Sequence, residues 1–383
     1  MSPEPIHVVR PFLPPLAEYV QELESIWETH HLTHSGPKHQ ALTAALADYL
    51  SVPQVSLFAN GHLALEAALQ TLGVTGEVIT TPFTFASTTQ AIVHSGATPV
   101  FCDITADSYV MDPELIESLI TDRTSAILPV HVYGNLCDHA RIQEIADAHG
   151  LKVIYDAAHA FGVTKDGIGV GSYGDVSMFS FHATKVFHTI EGGGLTFADE
   201  RLSQEFAAWR QFGQYGKEDS GAIGTNAKLT EFGAAMGLVN LRHIDATIEA
   251  RRQLTLRYRE HLASVPGLSL GEDIPGIRHN YAYLPVVFDP EEFGRSRDDV
   301  LRDLADNDIY ARRYFHPLTS QFSVFEGRFP AEQTPVAAGI ADRVLTLPLY
   351  AGMAVNDVDR ICEILLVDAA RQVAVGRPPK ESL

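Results

Sequence analysis

Lys185 lies in the run Phe179-Ser-Phe-His-Ala-Thr-Lys-Val-Phe-His188, where an apolar stretch from Val176 to Phe181 gives way to a polar turn. A lysine amine at the end of a strand can condense with an aldehyde to form a Schiff base. Twenty-nine residues earlier, Leu151-Lys-Val-Ile-Tyr155 reads as another apolar strand and ends in Asp156-Ala-Ala-His159. A carboxylate in that position can keep a ring nitrogen protonated, which turns the ring into an electron sink. An amine for the aldehyde and an acid for the pyridine nitrogen are what pyridoxal phosphate chemistry requires.

Two more loops follow apolar strands at the carboxyl ends, where open α/β sheets place their ligands. In Phe58-Ala-Asn60-Gly61-His62 a strand runs straight into a helical pattern, so backbone N–H groups can meet a phosphate. The same Asn-Gly pair is equally an ordinary turn signal. Thr81-Pro-Phe-Thr-Phe85-Ala offers an aromatic, Phe85, that can stack on a planar ring or simply join the core. Asp156 can instead cap a turn, and His159 can be a hydrogen-bonded core histidine. A lysine is by default a solvated surface group. The order separates the readings: phosphate turn, aromatic, acid and lysine come in succession, each after its own strand.

The elements that must position these residues alternate. Strand signals at 55–59, 77–80, 98–104, 125–130, 152–155, 176–181 and 194–198 are separated by helical patterns at 61–72, 85–94, 113–120 and 139–149. Continuous apolar strands between helices predict an α/β fold, a mostly parallel sheet covered on both faces. That domain is expected over 38–240, after a proline-punctuated segment, 1–37, with one amphipathic stretch at 18–27. A long helical pattern at 230–262 leads into a smaller α+β domain, 241–383, with strands at 283–288 and 309–314 and a closing helix at 355–373.

The 383 residues carry a formal net charge of −20, which argues against a nucleic-acid surface or an anionic membrane as partner. Cys102, Cys137 and Cys362 form no metal-binding spacing and read as reduced buried thiols. With neither an apolar signal core nor a run of ~20 apolar residues, the expectation is a soluble cytoplasmic protein.

From Thr33 to Leu318 the chain resembles the DegT/DnrJ/EryC1/StrS sugar aminotransferases, which have the fold type I architecture. The resemblance rests on Asn60-Gly-His62, Pro82-Phe-Thr-Phe85, Asp156-Ala-Ala-His159, Ser180-Phe-His-Ala-Thr-Lys185 and Glu191-Gly-Gly-Gly194. Gly224-Thr-Asn226-Ala-Lys228 and Arg313-Tyr-Phe-His-Pro317 extend it. It implies that Lys185 holds pyridoxal 5′-phosphate and moves the proton, with pyridoxamine 5′-phosphate formed between half-reactions. By the same resemblance Asp156 pairs with the pyridinium nitrogen, Phe85 stacks on the ring and His159 sits beside the ring hydroxyl. Gly61, His62 and Ser180 hold the phosphate, and Asn226 reaches it from the neighbouring subunit of a homodimer. Arg313, Tyr314 and Lys228 are the implied substrate contacts.

The pattern departs from the family at three places. His62 stands where Thr or Ser is common, His159 where Gln is, and Lys228 where Arg is; the last loses a planar anion clamp. The text around Lys185 resembles enzymes that aminate C4 of a nucleotide-linked 4-keto-6-deoxyhexose, with L-glutamate as donor. The alternative is amination of C3 on a 3-keto sugar. A cysteine desulfurase and a non-catalytic sensor or regulator share the fold. A dehydrogenase would need a Gly-x-Gly-x-x-Gly turn that Asn60-Gly-His-Leu-Ala-Leu does not supply.

Overall fold

The computed structural model describes residues 4–216, 219–329 and 333–374, with the side chains of 368–374 excepted. Seven apolar runs pair into one sheet: β1 (Gln54–Phe58), β2 (Glu77–Thr80), β3 (Thr98–Phe101), β4 (Thr124–Leu128), β5 (Lys152–Asp156), β6 (Val176–Ser180) and β7 (Gly193–Phe197). Their order is β1-β7-β6-β5-β4-β2-β3. Neighbours from β6 to β3 pair in parallel, while β7 is antiparallel to both β6 and β1. Burial on both faces explains the unbroken apolar runs: β2 and β7 are buried at every residue.

Helices α1 (Leu16–Thr29), α2 (Pro37–Leu50), α3 (Gly61–Thr71), α4 (Ala86–His94), α5 (His139–His149), α6 (Leu202–Trp209) and α7 (Glu231–Leu262) accompany this sheet. Their starts follow capping chemistry. Asn60 caps α3 by accepting from Leu63 N–H, Asp138 caps α5 from Arg141 N–H and Thr230 caps α7 from Gly233 N–H. The start of α2 lacks a side-chain cap of its own. There the buried Glu231 carboxylate accepts from the N–H groups of Lys38 (2.8 Å) and His39 (2.9 Å), tying α2 to the first turn of α7.

A second, antiparallel sheet follows: β8 (Leu268–Leu270), β9 (Leu284–Phe288) and β10 (Val344–Leu347), packed with α8 (Arg297–Asp306), α9 (Pro335–Arg343) and α10 (Val355–Ala374). The strand expected at 309–314 is only Ile309–Tyr310, which pairs in parallel with Ile6–His7. Past it the chain makes a single bridge, between Arg312 and Thr346, and then turns toward the large sheet. One apolar core, from Leu42 through Phe181 and Tyr258 to Leu365, joins elements of both sheets.

His39, His131, His139 and His159 are each buried without a charged partner. His131 Nδ1 accepts from Cys137 N–H, and its Nε2 lies 3.3 Å from His139 Nε2. One of those two facing nitrogens must therefore be unprotonated. Burial pushes His39 and His139 down to about 4, and His131 and His159 well below the ordinary histidine value of 6.5. All four stay neutral when folded and take up protons when unfolded below pH 6.5. Their contribution is therefore lost as pH falls from 6.5 toward 4. Urea unfolding should show a loss of about 1.4 kcal/mol per histidine between pH 7.5 and 5.5. Equal stability at the two values would refute this account.

Candidate active site

The carboxyl ends of β1, β2, β5 and β6 open on one cavity of about 680 Å³. Gly61, His62, Phe85, Asp156, His159, Ser180, Lys185 and Tyr314 all line it. Residues from four separate strand ends and from the region after α8 are thus brought to one space.

Asp156 ends β5 in a buried position. Its Oδ2 accepts from Thr88 Oγ1 (2.8 Å), itself 3.0 Å from Thr84 Oγ1, and its Oδ1 accepts from Ala158 N–H (3.0 Å). Burial raises the Asp156 pKa, against the pull of Thr88, Ala158 and Lys185. A cationic N–H entering the cavity would reverse that balance. Lys185 faces the same space from the turn after β6, where its backbone N–H bonds His182 C=O. Its Nζ lies 3.4 Å from the Tyr283 hydroxyl and 5.8 Å from that ring's centre.

His159 has a fixed orientation. Tyr133 N–H donates to its Nδ1 (3.1 Å), so the neutral ring carries its proton on Nε2. Tyr133 adopts a left-handed backbone, φ 60°, unusual for a side chain of this size. The ring of His159 is parallel to Phe315 and edge-on to Tyr283, with centroids 5.8 and 4.9 Å away. Phe85 caps α4 with extended backbone instead of opening it; it is 59% exposed and lines the cavity.

At the far end is the first turn of α3. A Cβ on Gly61 would sit 3.1 Å from both Met178 Sδ and Ser180 Cβ, so this turn touches the end of β6. Behind it β7 is closer still: a Cβ on Gly193 would lie 2.5 Å from Asn60 C and Gly61 N. The first-turn N–H groups at Gly61 and His62 are left for a ligand, since Asn60 takes those of Leu63 and Ala64. An anion site, a flat aromatic, a buried acid with one open side and an amine line one cavity. The residues fit pyridoxal phosphate.

Three expected site residues lie elsewhere on the protomer. Asn226 bridges Gln211, and Lys228 Nζ stands 5.0 Å over the Phe212 ring. Arg313 pairs with Asp298 (2.9 Å) and lines an adjoining cavity of about 380 Å³ that shares Phe85 and Tyr314 with the first. The chief omission from the sequence reading is Tyr283, which immediately precedes β9. Its only signal was an aromatic cluster, Tyr281-Ala-Tyr283, at the start of a predicted strand. The three cysteines are buried and their thiols raised, Cys362 to about 12, which leaves no reactive thiol for a desulfurase. Among the described residues no helix is long and apolar enough to cross a membrane.

Known proteins share this arrangement. The chain is 41% identical over 362 residues to the dTDP-4-amino-4,6-dideoxy-D-glucose transaminase of Shigella dysenteriae, spanning 94% of this chain and 97% of that protein. DesI, solved in the presence of its TDP-sugar product, superposes with a TM-score of 0.92 at 34% identity, covering 97% of this chain and 95% of DesI. Spr1654 of Streptococcus pneumoniae, solved in PMP and PLP forms, superposes at 0.88 with 26% identity, covering 96% and 99%. Residues 16–366 match the model of one family, and with fold and sequence shared along nearly its whole length, the chain belongs to the DegT/DnrJ/EryC1/StrS aminotransferase family.

Proposed function

We propose that this aminotransferase uses pyridoxal phosphate to move the amino group of L-glutamate to C4 of a dTDP-linked 4-keto-6-deoxyhexose in the cytosol. The observation that carries the reading is the pairing of Lys185 and buried Asp156 across one cavity. The sugar position rests on the 41% identity to a dTDP-4-amino-4,6-dideoxy-D-glucose transaminase. Bound pyridoxal phosphate supplies the aldehyde that accepts the amino group and the ring that withdraws electrons from the carbon losing its proton.

The chain's own groups divide the rest of the work. Asp156 keeps a ring N–H charged, its other contacts to Thr88 and Ala158 holding the carboxylate in place. Lys185 Nζ would move the proton from the donor's α-carbon to the cofactor carbon that takes the amino group and, in the second half-reaction, from that carbon to C4 of the sugar. His159 Nε2–H donates to an acceptor at the ring edge. Phe85 covers one ring face, and Gly61, His62 and Ser180 take the phosphate. Tyr314 and Arg313 face the sugar nucleotide.

Asn226 and Lys228 serve the neighbouring protomer's site in a homodimer. What supports this is their distance from their own cavity and the exposed apolar residues nearby in the chain, Phe212 and Ile223. Light scattering should give twice the chain mass; a monomer would refute it.

The test is the visible spectrum of the purified protein before and after L-glutamate, followed by mass and NMR analysis of the amino sugar. A yellow band that bleaches, with nitrogen at C4, is expected. Nitrogen at C3 would move the substrate to a 3-keto sugar, and a protein that cofactor leaves colourless would overturn the reading.

Tyr283 is placed to hold the Lys185 amine when it is not bound to cofactor. Tyr283→Phe should lower kcat about tenfold, the size of one hydrogen bond to a charged group. The fold should be unchanged and the alkaline limb of the kcat–pH profile displaced. An unaltered profile would make Tyr283 a packing residue.

A further inference from the structure

One cluster of side chains stands at the cavity rim: the backbone N–H of His62 belongs to the phosphate turn, but its imidazole points away to Glu66 and His94, which have no part in amino transfer. His62 and Glu66 lie four residues apart on α3 and so share a face, and His94 closes α4 beside them. A single carboxylate oxygen, Glu66 Oε1, stands 3.0 Å from His62 Nε2 and 2.8 Å from His94 Nδ1. The three ligand-type atoms all lie within 4.8 Å of one another. The two imidazole rings meet edge-on at 79°, so their nitrogens converge on the carboxylate.

The outer contacts of the cluster have the form found around bound metal. The distal nitrogen of His62, Nδ1, is 2.9 Å from Ser87 Oγ, which fixes the ring and leaves Nε2 directed at Glu66. Such an anchored second nitrogen is typical of a metal-ligating histidine. With both rings neutral the cluster carries one negative charge, and among the described residues its only ion-pair partners are the two histidines.

We infer that His62, Glu66 and His94 form a binding site for a divalent transition metal, Zn²⁺ foremost. Two imidazoles and a carboxylate with an open fourth position are a recurrent Zn²⁺ donor set. Mg²⁺ and Ca²⁺ prefer oxygen ligands and are disfavoured here. Binding uses the lone pairs of His62 Nε2 and His94 Nδ1, so each neutral ring then carries its proton on the other nitrogen, that of His62 directed at Ser87 Oγ.

The test is calorimetric titration of the untagged holoenzyme with zinc chloride at pH 7.5, alongside His94→Ala and Glu66→Gln. The wild type should bind one Zn²⁺ per chain, and each variant should bind it at least ~tenfold more weakly. His94 is exposed and lies outside the amino-transfer machinery, so His94→Ala should retain its fold and its metal-free turnover. No binding by the wild type, or equal affinity in wild type and both variants, would overturn the site. The first result would leave a hydrogen-bonded trio, the second adventitious capture by other histidines of the seventeen.

Discussion

Lys185→Ala should lower turnover by ~10⁴-fold or more, because one side chain supplies both the nucleophile and the proton carrier. The fold should survive. The Lys185 side chain makes one hydrogen bond, to Tyr283, and its backbone contact to His182 does not depend on the amine. The variant should still take up cofactor through the phosphate turn, with the visible band of the wild type replaced by that of free aldehyde. Lys185→Arg sharpens the test. It keeps a positive charge but cannot condense with the aldehyde, so it should be as inactive as the alanine variant. Wild-type-like turnover in either would remove Lys185 from the chemistry.

Asp156→Asn should cost at least ~10²-fold in kcat, the scale seen when one electrostatic contact to a developing charge is removed. Asparagine has nearly the same shape and can still accept from Ala158 N–H or Thr88 Oγ1. Because burial raises the Asp156 pKa in the folded chain, the buried charge opposes folding. The unfolding midpoint of the cofactor-free variant at pH 7 should therefore equal or exceed that of the wild type. Activity and stability moving in opposite directions is the signature of a site residue. A parallel fall in both would mean that Asp156 is structural.

Much of this arrangement was legible in the sequence because the parallel strands are buried on both faces. Val153-Ile-Tyr155 or Val78-Ile79 can only be interior, and each strand ends where its polar residue appears. The direction of β7 was not legible. Gly-Gly-Leu-Thr-Phe reads the same whichever way it runs, and only pairing with β1 and β6 settles it. The strand at 309–314 is shorter than expected because its ladder with Ile6–His7 ends at Tyr310, and beyond it only Arg312 bridges, to Thr346. Its partner, Ile6–His7, is too short to carry a period. Strand β10 was missed because Val344-Leu-Thr-Leu347 follows α9 directly, with no turn residue between them. Motif order alone singled out most of the residues that line the cavity. Tyr283 was not, because 98 positions separate it from Lys185 and only the packing of β9 beside the large sheet brings them together.

The glycine of β7 that lies against the Asn60–Gly61 peptide has a consequence for anyone varying this enzyme. A saturation library at Gly193 should return glycine almost alone among cofactor-retaining clones, although that position does not line the cavity. Even a methyl group there must push the Asn60–Gly61 turn at the start of α3 forward. Position 85, a cavity-facing aromatic with room around it, should accept several residues and trade substrate preference for affinity. Freedom to evolve thus runs opposite to distance from the ligand at these two positions: the hidden strand is closed to change and the exposed rim is open.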